Sequence, residues 1–244
     1  MPKCVTVLSR EEVTDDMLVK AASLFSDNYG VWSKAAKRDR AYGKPSGRVR
    51  MTSARLRNQC LPEDSDSAYV QVTIDGVMAG HAFVCRWKYQ GRNVLWVTQL
   101  VVQSEFRERG IATSLLANCL DKNDDVFGIM SSHPAACKAL GKAFGSTPIA
   151  EISMDFAEKH AAGVLGGSPV QYIRDAELCG SLFDPNDSTG LIMGVNSKFY
   201  VDHHEALEAL ESLRKGGWPW PLGELPEGHE FMFLFERPQR RRSF

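Results

Sequence analysis

Apolar positions along this 244-residue chain change their period several times, and each change marks an element. Val13, Met17, Leu18, Ala21, Leu24 and Phe25 recur at helical spacing behind Ser9 and Glu12, which have the form of a capping box. This predicts a first helix over about 10–27. MTSARLRNQCL has a second helical pattern. From Ala68 the texture turns β-branched and aromatic, broken by Asp75-Gly76, so a hairpin is expected with strands near 68–74 and 77–87. After a turn at Gln90-Gly91 comes NVLWVTQLVV, where Val94, Trp96, Leu100 and Val102 fill one alternating set and Leu95, Val97 and Val101 the other. A strand apolar on both faces is central in its sheet.

Beyond Gly110 the helical period returns in Ile111, Ala112, Leu115, Leu116, Cys119 and Leu120. VFGIMSS then reads as a strand, HPAACKALGKAFG as a short helix with proline in its first turn, and TPIAEISMDFA as another strand. The remainder is an excursion with a helix near 155–165, a Gly/Pro-interrupted stretch, a helix boxed by Asp202 and Glu205, a Trp-Pro turn and a last strand, HEFMFLFE. One parallel crossover in an otherwise antiparallel sheet predicts an α/β fold with helices on both faces. The expected organisation is one domain over 1–244, with an insert of about 156–228 between the last two strands.

Composition narrows the partners. Hydrophobic residues make up 43% and charged residues 24%, and the net charge of -1 gives no global reason to expect nucleic acid or an anionic membrane. Six cysteines are scattered without a Cys-x-x-Cys pair and read as reduced thiols of a cytoplasmic protein with the nucleus also open to it. The N-terminus lacks the apolar core of a signal peptide, and no stretch is long enough to cross a bilayer. The basic ending ERPQRRRSF is either an import or phosphate-binding tail or a solvated end.

The chemistry concentrates in LVVQSEFRERGIATSLL, where a strand runs through a charged turn into a helix. A helix N-terminus leaves amides unpaired and carries partial positive charge, so it holds anions, and a glycine lets them approach. Gly110 opens the helix, Ala112 is small, and Arg107 and Arg109 bring positive charge to the rim. A pyrophosphate suits this better than a lone carboxylate.

The segment resembles the central motif of the GNAT superfamily of acyl-CoA N-acyltransferases. Leu100-Val101-Val102 matches its strand, and Arg107-Glu108-Arg109-Gly110-Ile111-Ala112 matches its Arg/Gln-x-x-Gly-x-Gly/Ala loop. Ser132-His133-Pro134-Ala135-Ala136 resembles the start of its fourth helix, and SPVQYIRDAELCGSLFDP and WPLGELPEGHEF resemble fungal members. The resemblance implies a GNAT-like fold with a mixed, mostly antiparallel central sheet that splays between strands four and five. It also implies acetyl-CoA as cofactor. Main-chain groups of Leu100 and Val102 would pair with the pantetheine arm, amides from Glu108 to Thr113 would cradle the pyrophosphate, and Ser132 or His133 would face the arm.

The same family commonly places a base on strand four, where this chain has Trp96, Val97, Thr98 and Gln99, none able to take a proton at neutral pH. Its helix-four tyrosine falls at Leu140. Either proximity and an oxyanion contact such as the Val102 amide suffice, or another group enters: His81, Tyr172, Asp175, His203 or His204. His81 also reads as a hydrogen-bonded core histidine. No metal is expected, because Asp202 and Glu205 are spoken for as caps and Glu208 stands where His-Glu-x-x-His needs its second histidine. For the acceptor, the candidates are Tyr29, Trp32, Arg40 and Gln99. The leading expectation is acetyl transfer to a small-molecule amine by direct attack in a ternary complex, in a monomer or homodimer. A protein lysine or N-terminal acetyltransferase and a non-turning acyl-CoA sensor are the alternatives.

Overall fold

The computed structural model describes residues 2–38, 47–145 and 148–237. Its organising element is one eight-stranded sheet: β1 (Lys3–Ser9), β2 (Asp66–Ile74), β3 (Val77–Tyr89), β4 (Arg92–Val102), β5 (Asp124–Ser131), β6 (Glu177–Cys179), β7 (Gly194–Asn196) and β8 (His229–Glu236). They lie in the order β1-β2-β3-β4-β5-β8-β7-β6, and only β4 and β5 run parallel. The helices are α1 (Asp15–Asn28), α2 (Ser53–Cys60), α3 (Ile111–Ala117), α4 (Pro134–Leu140), α5 (Asp155–Gly166), α6 (Gln171–Arg174) and α7 (His204–Lys215).

The hairpins form as their turns require. Asp75 and Gly76 have φ of 50° and 81°, and Gln90 and Gly91 have 47° and 80°, the paired left-handed conformation whose twist matches the strands. β4 is buried on both faces, with Val94, Leu95 and Trp96 fully enclosed. Each such side chain contributes roughly 1.5–3 kcal/mol of burial. Gly128 on β5 is required by this packing, because a Cβ there would collide with the Trp96 indole.

Alternation sorts the two faces. Phe127, Phe233 and Phe235 form a ring cluster with Phe144, which follows α4. Trp96 and Gly128 point the opposite way, to where the Trp87 ring lies tilted 6.0 Å from Trp96 and its indole donates to the Val164 carbonyl of α5. Glu230, Met232 and Leu234 alternate with the phenylalanines of β8 and therefore share the face of Trp96.

Several sequence expectations change. Residues 3–9, given no element from sequence, form β1 at the sheet edge, paired antiparallel with β2. The Ser9–Glu12 box is present but closes only a 3-10 turn over Arg10–Glu12, and α1 starts later behind Thr14, whose hydroxyl accepts from the Met17 amide. The strand expected over TPIAEISMDFA does not form: a 3-10 turn spans Ile149–Glu151, and β8 takes the place beside β5 with six antiparallel pairs. The excursion is not all loop and helix, since β6 and β7 extend the sheet beyond β8. The Asp202–Glu205 box is replaced as well. Asp202 accepts from the His204 amide at 2.8 Å, while Glu205 turns away to pair with Arg107.

Candidate active site

The β4–β5 ladder ends at Val97↔Ile129. Beyond that point β4 continues to Val102 against β3, and β5 continues to Ser131 against β8. The strands therefore part, and a bulge sits at the parting: Val84 opposes Val97 and Phe83 opposes Gln99, leaving Thr98 as the extra residue. Gln103 donates its amide to the Ala79 carbonyl at 2.9 Å, so alternation turns the N–H and C=O of Leu100 and Val102 away from β3, toward the gap. Val101 points its side chain to the opposite face and is buried among Phe25 and Trp32.

At the far end of this open edge the chain makes the turn 104–110 into α3. Glu108 and Gly110 have φ of 61° and 74°. Among the described residues, none of the amides from Glu108 to Thr113 has a protein acceptor in good geometry; the first bond into the helix is from the Ser114 amide to the Gly110 carbonyl at 3.0 Å. A Cβ built on Gly110 meets nothing within 4 Å, so space lies open over these amides, including those of Ile111 and Ala112. Free amides, left-handed turns and clear space fit a diphosphate, and the outward-facing edge at Leu100 and Val102 fits an extended amide-bearing arm.

The two arginines behave differently. Arg109 is exposed, its guanidinium 5.6 Å from the Phe106 ring centroid, free to reach a phosphate. Arg107 is committed within the protein: it donates to the Asn28 carbonyl at 2.6 Å, to Val102 O at 3.4 Å, and to Glu205. It fastens the ends of β4 and α1 to the start of α7. Next to it, His133 caps α4 by accepting from the Ala135 amide at 3.2 Å, and its Nε2 lies 3.7 Å from Glu205. Burial lowers its pKa, and the Arg107 charge adds to this, with Glu205 pulling the other way. Ser132 before it is buried.

On the other side of the sheet the cleft has aromatic walls. The segment after α1 is bonded to the insert: Trp32 bridges Val201, Ser33 donates to the Tyr200 carbonyl at 2.9 Å, and Asp202 donates to the Val31 carbonyl at 2.8 Å. Tyr29 stacks on Phe25 at 4.2 Å and lies 5.9 Å from Phe199. Trp32 is buried edge-on against Phe199 and forms the backing of this wall. Arg40 lies outside the described residues, as do residues 238–244 of the basic ending.

Of the candidate proton carriers, His81 is fully buried between Tyr69 and Phe83, and its Nε2 lies 2.8 Å from Gln99 Oε1. Desolvation pushes its pKa down to about 4, against the Gln99 bond, so it is neutral. Donating through Nε2 it holds the Gln99 carboxamide, whose NH2 remains a donor on the half-buried surface of β4. Leu140 is fully buried core. Asp175 and His204 are exposed and His203 is buried, its pKa lowered first by desolvation.

Tyr172 is different. From α6 its hydroxyl reaches the Thr98 carbonyl at 2.7 Å, on the bulge where the strands part. Desolvation, aided by the nearby Glu230 carboxylate among other groups, raises its pKa well above the ordinary tyrosine range, although 39% of the residue is exposed. A hydroxyl facing a narrow cleft is desolvated without being out of reach. Glu230, which carries no sequence motif, is half-buried on the same face. Burial raises its pKa, with Ser197 partly offsetting this, and its charge in turn raises Tyr29 and Tyr172. Only its place directly before the apolar run FMFLF of HEFMFLFE could have drawn attention to it.

Sheet order, parting strands and free helix-start amides define a GNAT-like fold. Residues 31–145, slightly under half of the chain, match the family described as Acetyltransferase (GNAT) family. No curated protein matches it. Among solved structures, an aminoglycoside acetyltransferase from an uncultured soil metagenomic sample is 23% identical over 49% of this chain and 70% of that one, with a TM-score of 0.32. An aminoglycoside 6'-N-acetyltransferase complexed with coenzyme A is 14% identical over 52% and 61%, with a TM-score of 0.34. Escherichia coli ElaA is 10% identical over 53% and 78%, with a TM-score of 0.36. Tyr172 and Glu230 both lie outside the matched 31–145.

Proposed function

We propose that this chain is an N-acetyltransferase that moves an acetyl group from acetyl-CoA to the primary amine of a small molecule, by direct attack in a ternary complex. The observation that carries this reading is the open edge of β4, bounded at one end by the free amides of 108–113 and at the other by the Tyr172 hydroxyl on Thr98. Bound acetyl-CoA would supply a thioester, whose carbonyl carbon accepts the amine and whose sulfur leaves. The chain's own groups then have distinct tasks. The amides of Glu108 to Thr113, with Arg109, hold the diphosphate; Leu100 and Val102 align the arm by main-chain bonds. The Val102 amide is placed to polarise the carbonyl. Tyr172, kept protonated, is the proton donor to the sulfur, the task that Leu140 cannot perform. Its raised pKa does not disqualify it, because the same desolvation raises the proton affinity of a thiolate beside it.

The acceptor is read as a small molecule because the insert is tied to the segment after α1 by the Trp32–Val201 bridge and the Tyr29–Phe199 pair, where a protein tail would need an open trough. The test is free-thiol release from acetyl-CoA across a panel of small amines and lysine-bearing or N-terminal peptides, run beside calorimetric titration of CoA. Thiol release with small amines supports the reading. Release with peptides alone would establish a protein acetyltransferase, and CoA binding without release in any case would establish a sensor.

A further inference from the structure

We propose that Glu230 receives the acceptor's ammonium group and takes its proton, and that the aromatic wall of Tyr29, Phe199 and Tyr172 selects a small amine carrying one positive charge on a flat apolar body. The inference rests on the transferase reading above and adds to it the base and the substrate class. Its ground is placement. Glu230 lies one residue before Phe231, which pairs with Ser131 at the end of β5, so it stands beside the gap between β4 and β5 on the face where α1, α2 and α6 pack. It opposes Val195 of β7, and among the described residues it belongs to no ion pair.

The groups around it are neutral. Tyr29 comes from the end of α1, Tyr172 from α6 and Cys137 from α4, and the Glu230 charge raises the pKa of all three. Ser197 approaches from the segment between β7 and α7, and the strand neighbour His229 is occupied with the Glu227 carbonyl at 2.9 Å. A half-buried carboxylate with no cation of its own among the described residues, at the lip of a cleft, is a site for one that arrives with the ligand. One carboxylate serves one ammonium; a second positive charge would be desolvated without a partner. The rings of Tyr29 and Phe199, 5.9 Å apart and tilted by 59°, add apolar area and negatively polarised faces, both suited to a flat cationic amine.

The proton count closes. An ammonium must lose two protons to become an amide: Glu230 takes the first, which frees the nitrogen lone pair for attack. As the new C–N bond forms and the C–S bond breaks, the second proton replaces the one Tyr172 gives to sulfur. The phenol ends as it began, and Glu230 releases its proton to water.

The probes are phenethylamine, spermidine and a lysine-bearing tetrapeptide, titrated calorimetrically into the CoA-saturated full chain and into the CoA-free chain. Phenethylamine is expected to bind about tenfold or more tighter than spermidine or the peptide, and Glu230→Gln to weaken it by a similar factor while CoA affinity is unchanged. Thiol release should show an ascending pH limb above the ordinary carboxylate range, absent in Glu230→Gln and partly restored in Glu230→Asp. Preference for spermidine or the peptide, or a Glu230→Gln protein with unaltered phenethylamine affinity and pH limb, would overturn the proposal. Loss of the transferase reading would show separately, as wild-type protein that fails to bind CoA, and the amine titration of the CoA-free chain would still decide the role of Glu230.

Discussion

The Tyr172 hydroxyl donates to the Thr98 carbonyl over 2.7 Å, joining a four-residue helix of the insert to the bulge at which β4 parts from β5. On the proposed reading, a segment far along the chain supplies the proton donor where α4 has only the buried Leu140. The phenol is protonated at neutral pH and already oriented, so little reorganisation stands between it and a leaving sulfur.

Tyr172→Phe removes one hydroxyl and keeps the ring. Acetyl transfer should fall about 10²-fold in kcat with little change in the affinity for CoA, since general acid catalysis is worth that order and the diphosphate site is untouched. Stability should fall by only about 1 kcal/mol for the lost bond to Thr98. Steady-state kinetics and CoA calorimetry on the same preparation check it, and an unaltered kcat would remove Tyr172 from the mechanism.

Gly110→Glu should abolish CoA binding while the protein still folds. At φ 74° a side chain costs about 1 kcal/mol of strain, but its Cβ meets nothing within 4 Å, so no packing is lost. The new carboxylate would lie over the amides meant for phosphate. Calorimetric titration with CoA, alongside a thermal melt, separates the two effects. Retained affinity would mean that the phosphates bind elsewhere.

Much of the fold around β4 and α3 was legible in the sequence because its signals are local. Turn residues at 75–76 and 90–91, two apolar sets on one strand, and Gly110 at a helix start each act within a few residues, and each has the conformation expected. The acceptor side was not legible, because it depends on pairs remote in sequence. Glu230 comes beside the parting strands only when β8 settles against β5, and Arg107 enters an ion pair only because Glu205, nearly a hundred positions on, reaches it. Residues 3–9 escaped because a short edge strand with alternating exposure carries too weak a pattern. The strand expected at TPIAEISMDFA failed because apolar residues alone do not decide which segment takes a vacant sheet position, and HEFMFLFE took it with six pairs.

His81 should set part of the acid limit of stability. The folded protein protonates it only near pH 4, while the unfolded chain does so near 6.5, so stability is complete above the unfolded value and is lost as pH falls from about 6.5 toward 4. The full difference is roughly 3 kcal/mol. His81→Leu should flatten this slope, at the cost of leaving the Gln99 carbonyl without its donor, about 1 kcal/mol. Urea unfolding at a series of pH values tests it. An equal slope in both proteins would show that His81 titrates normally.

The two arginines of the turn should separate by what they damage. Arg107 bonds to Asn28, Val102 and Glu205, partly shielded from solvent, so Arg107→Ala should cost about 2 kcal/mol of stability and loosen α7 from the rest of the site. Its effect on CoA binding should follow the stability loss and vary little with salt, because the guanidinium is occupied. Arg109 is exposed and, among the described residues, has only the Phe106 ring beside it, so Arg109→Ala should leave the melt unchanged and weaken CoA several-fold at low salt, less at high salt. Thermal melts and CoA titrations at two ionic strengths check both. A salt-dependent loss of CoA affinity in Arg107→Ala with an unchanged melt would return Arg107 to the phosphate rim, and would mean that the Glu205 contact gives way when the cofactor arrives.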